Sequence, residues 1–173
     1  MNLYHLPQNK LWPKIINTII EIPKGTSAKY EYDKDLGLFV YDRSLLSAMT
    51  YPASYGFIPQ TMTEDGDPLD VLVYNAIPID RGTMVEATVL GGLEMYDELN
   101  GEMVMDYKVL AAPTSHVRQY ESLEDVDQLF LKVCKNFFAH YKDLNETPVQ
   151  IGEWQEKESA MAVVKSSLIP YKK

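Results

Sequence analysis

The chain has 173 residues, of which 46% are hydrophobic, and its formal net charge is −9. A chain of this length can bury a sizeable core, and we predict a single domain over residues 1–173. The acidic charge argues against nucleic acid as a partner, and no run of about 18 apolar residues predicts a membrane-spanning helix.

Two further features indicate the compartment. Cys134 is the only cysteine, so no internal disulfide is expected. The first ten residues lack the apolar central stretch of a secretory signal. We therefore predict a cytoplasmic protein with no membrane partner.

The first two thirds of the chain have the pattern of short β-strands. The segment Lys14–Ile22 is rich in β-branched residues and is followed by a Pro-Lys-Gly turn, which predicts a strand and its end. The other predicted strands are Lys29–Tyr32, Leu38–Tyr41, Asp70–Tyr74, Thr83–Met95 and Met103–Ala111. Asn100-Gly101, between the last two, is a turn signal typical of a β-hairpin.

The pattern then changes to helical spacing. Apolar residues from Val126 to Tyr141 predict a helix over Leu123–Lys142, and Ser122 with Asp125 resembles its capping box. A last short strand is predicted over Pro148–Ile151 and a second helix over Glu156–Leu168. Strands followed by helices predict an α+β fold, a small antiparallel barrel with helices packed outside.

The most informative motif is Asp65-Gly66-Asp67-Pro68-Leu69-Asp70, which opens a predicted strand. Magnesium prefers oxygen ligands, and a cation would remove the repulsion between such closely spaced carboxylates. An acidic surface turn is the alternative. A calcium EF-hand fits poorly, because its sixth and twelfth positions would be Asp70 and Ala76 rather than glycine and glutamate.

Several other polar groups are weak signals when each is taken alone. A second acidic group at the predicted hairpin reads as a solvated turn, and the paired cations read as ordinary salt bridges or helix-end charges. The loop from Tyr51 to Phe57 reads equally well as local packing. The acidic group consists of Asp97, Glu98, Glu102 and Asp106, and the other groups are Lys29 with Glu31, Asp42 with Arg43, and Tyr141 with Lys142.

Taken in order, these segments resemble the soluble family I inorganic pyrophosphatases. The resemblance starts with Ile22-Pro-Lys-Gly-Thr-Ser-Ala-Lys-Tyr-Glu31, continues through Tyr51-Pro-x-x-Tyr55-Gly and the Asp65–Asp70 signature, and ends at Tyr141-Lys-Asp-Leu144. The ordered set is specific and spans nearly the whole chain. It implies a five-stranded, OB-like barrel with flanking helices and, for a short prokaryotic-type chain, a homohexamer.

One segment departs from the family pattern Asp-Glu-x-Gly-x-Asp-x-Lys. Glu102 keeps the family's spacing from Asp97, but Val104 then replaces the lysine. Alternatively, Asp106 and Lys108 are the true pair, which implies four extra residues in the hairpin. We prefer the second alignment because an apolar stretch ending in proline follows Lys108, as in the family.

The resemblance implies a role for each matching residue. Several magnesium ions would be held by Glu31, Asp65, Asp70, Asp97 and Asp106. A metal-activated water would attack pyrophosphate, with Asp67 as the general base. Phosphate groups would be bound by Lys29, Arg43, Tyr55, Lys108, Tyr141 and Lys142, with Arg43 and Lys142 offsetting charge on the leaving group. Supporting acidic residues would be Glu21, Glu98 and Glu102.

Two rival functions stay open at this point. The longer hairpin between Asp97 and Lys108 would leave a related protein with weakened or altered activity. An OB-type module that binds oligonucleotides is the rival from another class, and the net charge of −9 argues against it.

Overall fold

The computed structural model describes residues 2–115, 119–145 and 147–169. The strands are β1 (Ile15–Ile22), β2 (Ala28–Asp33), β3 (Leu38–Ser44), β4 (Ser54–Phe57), β5 (Asp70–Val73), β6 (Met84–Leu99), β7 (Glu102–Met105), β8 (Lys108–Pro113) and β9 (Val149–Glu156). The helices are α1 (Gln128–His140) and α2 (Lys157–Ser166), and short 3-10 turns cover Leu3–His5, Leu123–Asp125 and Asp143–Asn145.

Five strands close into a barrel, because β1 pairs with β4 on one side and with β6 on the other. The ring runs β1-β4-β5-β8-β6 and returns to β1, while β7 and β9 extend it from β6. The α+β class and the OB-like barrel with flanking helices are confirmed. One detail differs from the antiparallel prediction, because β5 and β8 run parallel.

Strand β6 is the longest, and two irregularities in its pairing bend it around the barrel. Its far end forms the predicted hairpin with β7, and the turn residues Asn100 and Gly101 both have positive φ, at 56° and 86°. The predicted strand Met103–Ala111 is two strands, because β7 pairs with the end of β6 and β8 enters the barrel. The hairpin therefore projects beyond the barrel wall.

Strand β4 was not predicted, since its sequence was read as part of an aromatic loop. All four of its residues are buried, so no alternation of polar and apolar side chains marks it. Gly56 lies so close to β1 that an added Cβ would stand 1.8 Å from the Ile19 carbonyl oxygen. Only glycine permits this approach of two backbones.

The two helices cover the outside of the barrel. Phe137 and Phe138 of α1 belong to one hydrophobic cluster, and Ala160 and Val164 of α2 to another. Helix α1 starts at Gln128 rather than at Leu123, with the Asp127 side chain accepting from Leu129 N at 2.8 Å. The Ser122–Asp125 pair instead caps the 3-10 turn Leu123–Asp125, where Ser122 N donates to Asp125.

Strands β2 and β3 form a separate hairpin that shares no strand pairing with the barrel in the described part of the chain. A third cluster, containing Tyr32 and Phe57, packs this β2–β3 hairpin against β1 and β4. The N-terminal residues Leu3, Tyr4 and Leu6 add to the same cluster. No helix among the described ranges is long and apolar enough to cross a membrane.

Candidate active site

One cavity of about 430 Å³ opens between the barrel, the β2–β3 hairpin and the end of α1. Most of the predicted site residues line it, although they come from segments more than 100 positions apart in the chain. The predicted residues in its wall are Glu21, Lys29, Glu31, Tyr55, Asp65, Asp67, Asp70, Asp97, Asp106, Lys108, Tyr141 and Lys142.

Three predicted residues do not line this cavity. Glu98 and Glu102 are exposed on the β6–β7 hairpin, beyond the barrel wall. Arg43 lies outside the lining on β3, directly opposite Lys29 of β2. Asp42 links the two cations, because its Oδ2 is 2.6 Å from Arg43 and 3.3 Å from Lys29 Nζ. Arg43 is thus linked through Asp42 to a residue of the cavity wall, although it is not part of the lining itself.

Lys108 forms the centre of the cavity floor. The parallel pairing of β5 and β8 sets Asp70 beside Lys108, so that the buried ammonium contacts Asp70 and lies 2.5 Å from Asp106 Oδ1. Asp106 therefore reaches the cavity despite the longer hairpin, whereas Glu102 does not. The alignment that pairs Asp106 with Lys108 agrees with this placement.

The charges around Lys108 are unbalanced. Burial opposes the charged form of Lys108, but Asp70 and Asp106 outweigh burial and raise its pKa. Burial also raises the pKa of Asp70, which Lys108 opposes and Asp106 reinforces. Asp106 contributes to both pKa shifts. A single ammonium is shared by two carboxylates, which leaves negative charge uncompensated.

A tight turn presents the Asp65–Asp67 pair at the cavity mouth. The Thr63 hydroxyl contacts Asp65 Oδ1 and donates to the Asp67 carbonyl at 2.9 Å, while Asp67 N donates to Asp65 Oδ1 at 3.0 Å. Gly66 has a φ of 89°, which the turn requires. The pKa of Asp67 is raised by desolvation and then by the neighbouring carboxylates Asp65 and Glu31.

Glu21 is buried at the end of β1 and joins the barrel to the β2–β3 hairpin. Its Oε1 accepts from the backbone N–H of Tyr32 at 2.7 Å. Burial raises the pKa of Glu21 to about 8, while the bond from Tyr32 opposes the rise and Asp70 adds to it. Glu21 thus carries a proton at neutral pH as long as no cation approaches it.

The far wall holds Lys142 against Asp97. These two side chains form an ion pair, and the other carboxylate oxygen of Asp97, Oδ1, is buried with no hydrogen-bond partner among the described residues. Burial holds the pKa values of Tyr55 and Tyr141 well above the ordinary value, so both phenols are neutral hydrogen-bond donors. Lys108 Nζ lies 5.6 Å from the centre of the Tyr55 ring.

Sequence reasoning missed some residues of this wall. Tyr51 and Tyr4 line the cavity, and Thr63 shapes its mouth. Tyr51 stands inside the motif Tyr51-Pro-x-x-Tyr55-Gly, so its position was a usable signal. Tyr4 had no local signal, because only the tertiary structure brings the N-terminus to the cavity.

The cavity suits divalent cations of the hard type. Its candidate ligands are all carboxylate oxygens, and they outnumber the lysines in the wall. Within the part of the chain that the structure describes, Asp97 Oδ1 is buried without a hydrogen-bond partner. No three acidic, His or Cys side chains of the described residues gather closely enough to hold an ion alone. Magnesium usually takes one or two carboxylates with waters and substrate oxygens, so this arrangement fits it.

A cavity that combines carboxylates, lysines and neutral phenols is typical of enzymes that use metal ions to act on phosphate compounds. The comparison with known proteins identifies the family within this class. The family model "Inorganic pyrophosphatase" matches residues 18–172. The chain is 40% identical to the inorganic pyrophosphatase of Aquifex pyrophilus, over 100% of this chain and 98% of that protein.

Other relatives agree with this match. The inorganic pyrophosphatase of Halalkalibacterium halodurans is 43% identical, over 92% of this chain and 97% of that protein. The crystal structure of inorganic pyrophosphatase from Thermus thermophilus superposes with a TM-score of 0.90 at 36% identity, covering 96% and 97% of the two chains. The chain belongs to the inorganic pyrophosphatase family, a family of hydrolases.

Proposed function

We propose that this protein hydrolyses inorganic pyrophosphate to two phosphates at the cavity between the barrel and the β2–β3 hairpin. The single observation that carries the proposal is the shared ammonium of Lys108, which stands between Asp70 and Asp106 on the cavity floor. This contact joins a residue that the family resemblance assigns to phosphate binding with two that it assigns to metal binding. The longer β6–β7 hairpin leaves them in contact.

Magnesium is the proposed cofactor, with several ions in each cavity. The candidate ligands are Glu31, Asp65, Asp70, Asp97 and Asp106. When bound, magnesium neutralises charge on pyrophosphate and lowers the pKa of the attacking water. Lys108 and Lys142 contact three of these carboxylates, and we infer that both ammoniums turn toward phosphate oxygens when cations arrive.

Asp67 is the proposed general base that takes a proton from the attacking water. Its place at the cavity mouth allows approach by water, and its raised pKa brings its basicity closer to neutral pH. Its backbone is fixed by hydrogen bonds to Thr63 and Asp65. The turn therefore holds the Cα of Asp67 at the cavity mouth, within reach of the attacking water.

The cations and phenols are proposed to bind the phosphate groups. Lys29, Lys108 and Lys142 supply positive charge from three sides of the cavity, and Tyr55 and Tyr141 remain neutral donors. Preorganised donors of this kind stabilise charge that develops on the leaving phosphate. Arg43 is paired with Asp42 and is not among the residues that line the cavity, so a direct role in offsetting that charge requires its side chain to leave Asp42.

Phosphate release from pyrophosphate tests the proposal. We expect rapid release with magnesium, none with excess chelator, and recovery when magnesium is restored. Asp67→Asn should fold normally and turn over roughly 10²–10⁴-fold more slowly. Asp80→Asn, which removes an exposed carboxylate outside the cavity lining, is the matched control and should keep the normal rate.

Three results would contradict this proposal. Folded protein that binds magnesium but hydrolyses pyrophosphate weakly would favour the altered-activity alternative, and a normal rate for Asp67→Asn would remove the assigned base. Retention on single-stranded DNA at physiological salt would favour an oligonucleotide-binding module. We also propose a single-domain chain, a cytoplasmic location and a homohexamer. Sedimentation tests the homohexamer.

A further inference from the structure

The β2–β3 hairpin carries Lys29 and Glu31, two residues of the proposed site, yet it has no strand pairing with the barrel in the described part of the chain. Backbone bonds fix its base, where Gly25 N donates to Tyr51 O at 2.9 Å and Tyr51 N donates to Thr26 O at 3.0 Å. The orientation of the rest of the hairpin depends on side-chain contacts. The N-terminal residues provide a set of these contacts.

Residues 2–9, which we call the N-terminal arm, lie along the barrel and reach the cavity wall. The arm is hydrogen-bonded to the barrel and to the segment after β4 at several places, one of them from Asn9 to Glu86 of β6 at 2.6 Å. Gln8 exchanges hydrogen bonds with the backbone of Asn17 at 2.9 and 3.1 Å, and Gln60 N donates to Tyr4 O at 2.8 Å. The arm precedes residue 18, where the family match begins.

The arm also contacts Tyr32 of β2 through hydrogen bonds and an aromatic ring. The Tyr4 hydroxyl donates to the Tyr32 carbonyl at 3.3 Å, and Leu3 N donates to the Tyr32 hydroxyl at 3.1 Å. The Tyr4 ring meets those of Tyr32 and Phe57 edge-on, with centroids 5.5 and 4.9 Å away. On the barrel side, Glu21 accepts from Tyr32 N at 2.7 Å. Tyr32 is therefore held between the arm and the barrel.

We propose that the N-terminal arm positions the β2–β3 hairpin and that Tyr4 is a positioning residue for Lys29 and Glu31. Tyr4 connects β4, through Phe57, to β2 at Tyr32, one residue beyond Glu31. A loosened Tyr32 lets the hairpin move away from the aspartates on the opposite wall. The consequence for catalysis rests on the proposed function, whereas the consequence for hairpin order does not.

Amide hydrogen exchange of the full chain tests the structural part. In Tyr4→Ala, we expect exchange over residues 28–44 to rise on the order of tenfold, because a hydrogen bond and two aromatic contacts are lost. Exchange over β8 should stay unchanged. Tyr4→Phe keeps the ring contacts and should give a smaller rise, about threefold. Leu38→Ala, which removes an exposed side chain of the same hairpin, should give none.

Kinetics test the catalytic part. Tyr4→Ala should raise the KM for pyrophosphate and the half-saturating magnesium concentration by roughly three- to tenfold, with kcat nearly unchanged, because ground-state contacts are displaced. In a Lys29→Gln background the rise in KM should shrink, since both changes then act on the same contact.

The possible results distinguish failure of this proposal from failure of the proposed function. Unchanged exchange over residues 28–44 in Tyr4→Ala overturns the proposal, whatever the kinetics. Raised exchange with an unchanged KM and magnesium requirement overturns the positioning of Lys29 and Glu31. If the unmodified chain does not hydrolyse pyrophosphate, the proposed function fails separately. Exchange and calorimetric magnesium binding by Tyr4→Ala then decide the role of the arm.

Discussion

Replacing Glu21 with glutamine should make the stability of the protein less dependent on pH. Glu21 is 8% exposed, and burial raises its pKa from 4.5 to about 8. Its protonated form is favoured in the folded state, so the stability it confers is complete below about pH 4.5. That stability is lost as pH rises through 8.

The magnitude follows from the size of this shift. One pKa unit corresponds to about 1.36 kcal/mol, so the rise from 4.5 to about 8 corresponds to roughly 5 kcal/mol of unfolding free energy. Glutamine is neutral at every pH and can still accept from Tyr32 N. Glu21→Gln should match the parent at pH 4.5 and exceed it by several kcal/mol at pH 8.

Urea denaturation with chelator, from pH 4.5 to 8.5, measures this difference. Two protein concentrations should be compared, because an oligomer makes stability depend on concentration. Glu124→Gln, which removes an exposed carboxylate far from the cavity, should parallel the parent. A gap between Glu21→Gln and the parent that stays constant across this range would refute the reasoning.

Two further changes test the cavity floor and the barrel. Lys108→Met should lower the unfolding free energy at pH 7 by about 3–5 kcal/mol, because Asp70 and Asp106 lose their shared cation. The loss should shrink as pH falls, because burial raises the pKa of Asp70 and its protonated form no longer needs the cation. A pH-independent loss in urea denaturation would contradict this. Gly56→Ala should cost about 3 kcal/mol or prevent folding, because its Cβ would meet the Ile19 carbonyl. Near-parental thermal stability would show that β1 and β4 can separate freely.

The segment from Asp97 to Lys108 shows where sequence reasoning reached its limit. Counting positions left both Glu102 and Asp106 as candidates, although the hairpin turn at Asn100-Gly101 was predicted correctly. The pairing of β6 with β7 turns Glu102 to solvent, and the pairing of β5 with β8 brings Lys108 beside Asp70. Register between distant strands decides this placement, and register is a property of the assembled sheet.

Strand β4 and Tyr4 were missed for related reasons. A strand buried on both faces lacks the alternation that marks a half-exposed one, so Ser54–Phe57 gave no periodic signal. Tyr4 belongs to a segment of mixed polar and apolar residues, and its role depends on contacts with Tyr32 and Phe57. Such contacts between remote segments leave no local pattern.

The sequence by itself determined what is local. It predicted most strands, both helices, the hairpin turn and the family, because propensity, turn residues and motif spacing act over short distances. The tertiary structure alone decided the parallel pairing of β5 and β8, the exclusion of Arg43, Glu98 and Glu102 from the cavity lining, and the entry of Tyr4. These features depend on chain closure and packing, which bring together residues that no local pattern connects.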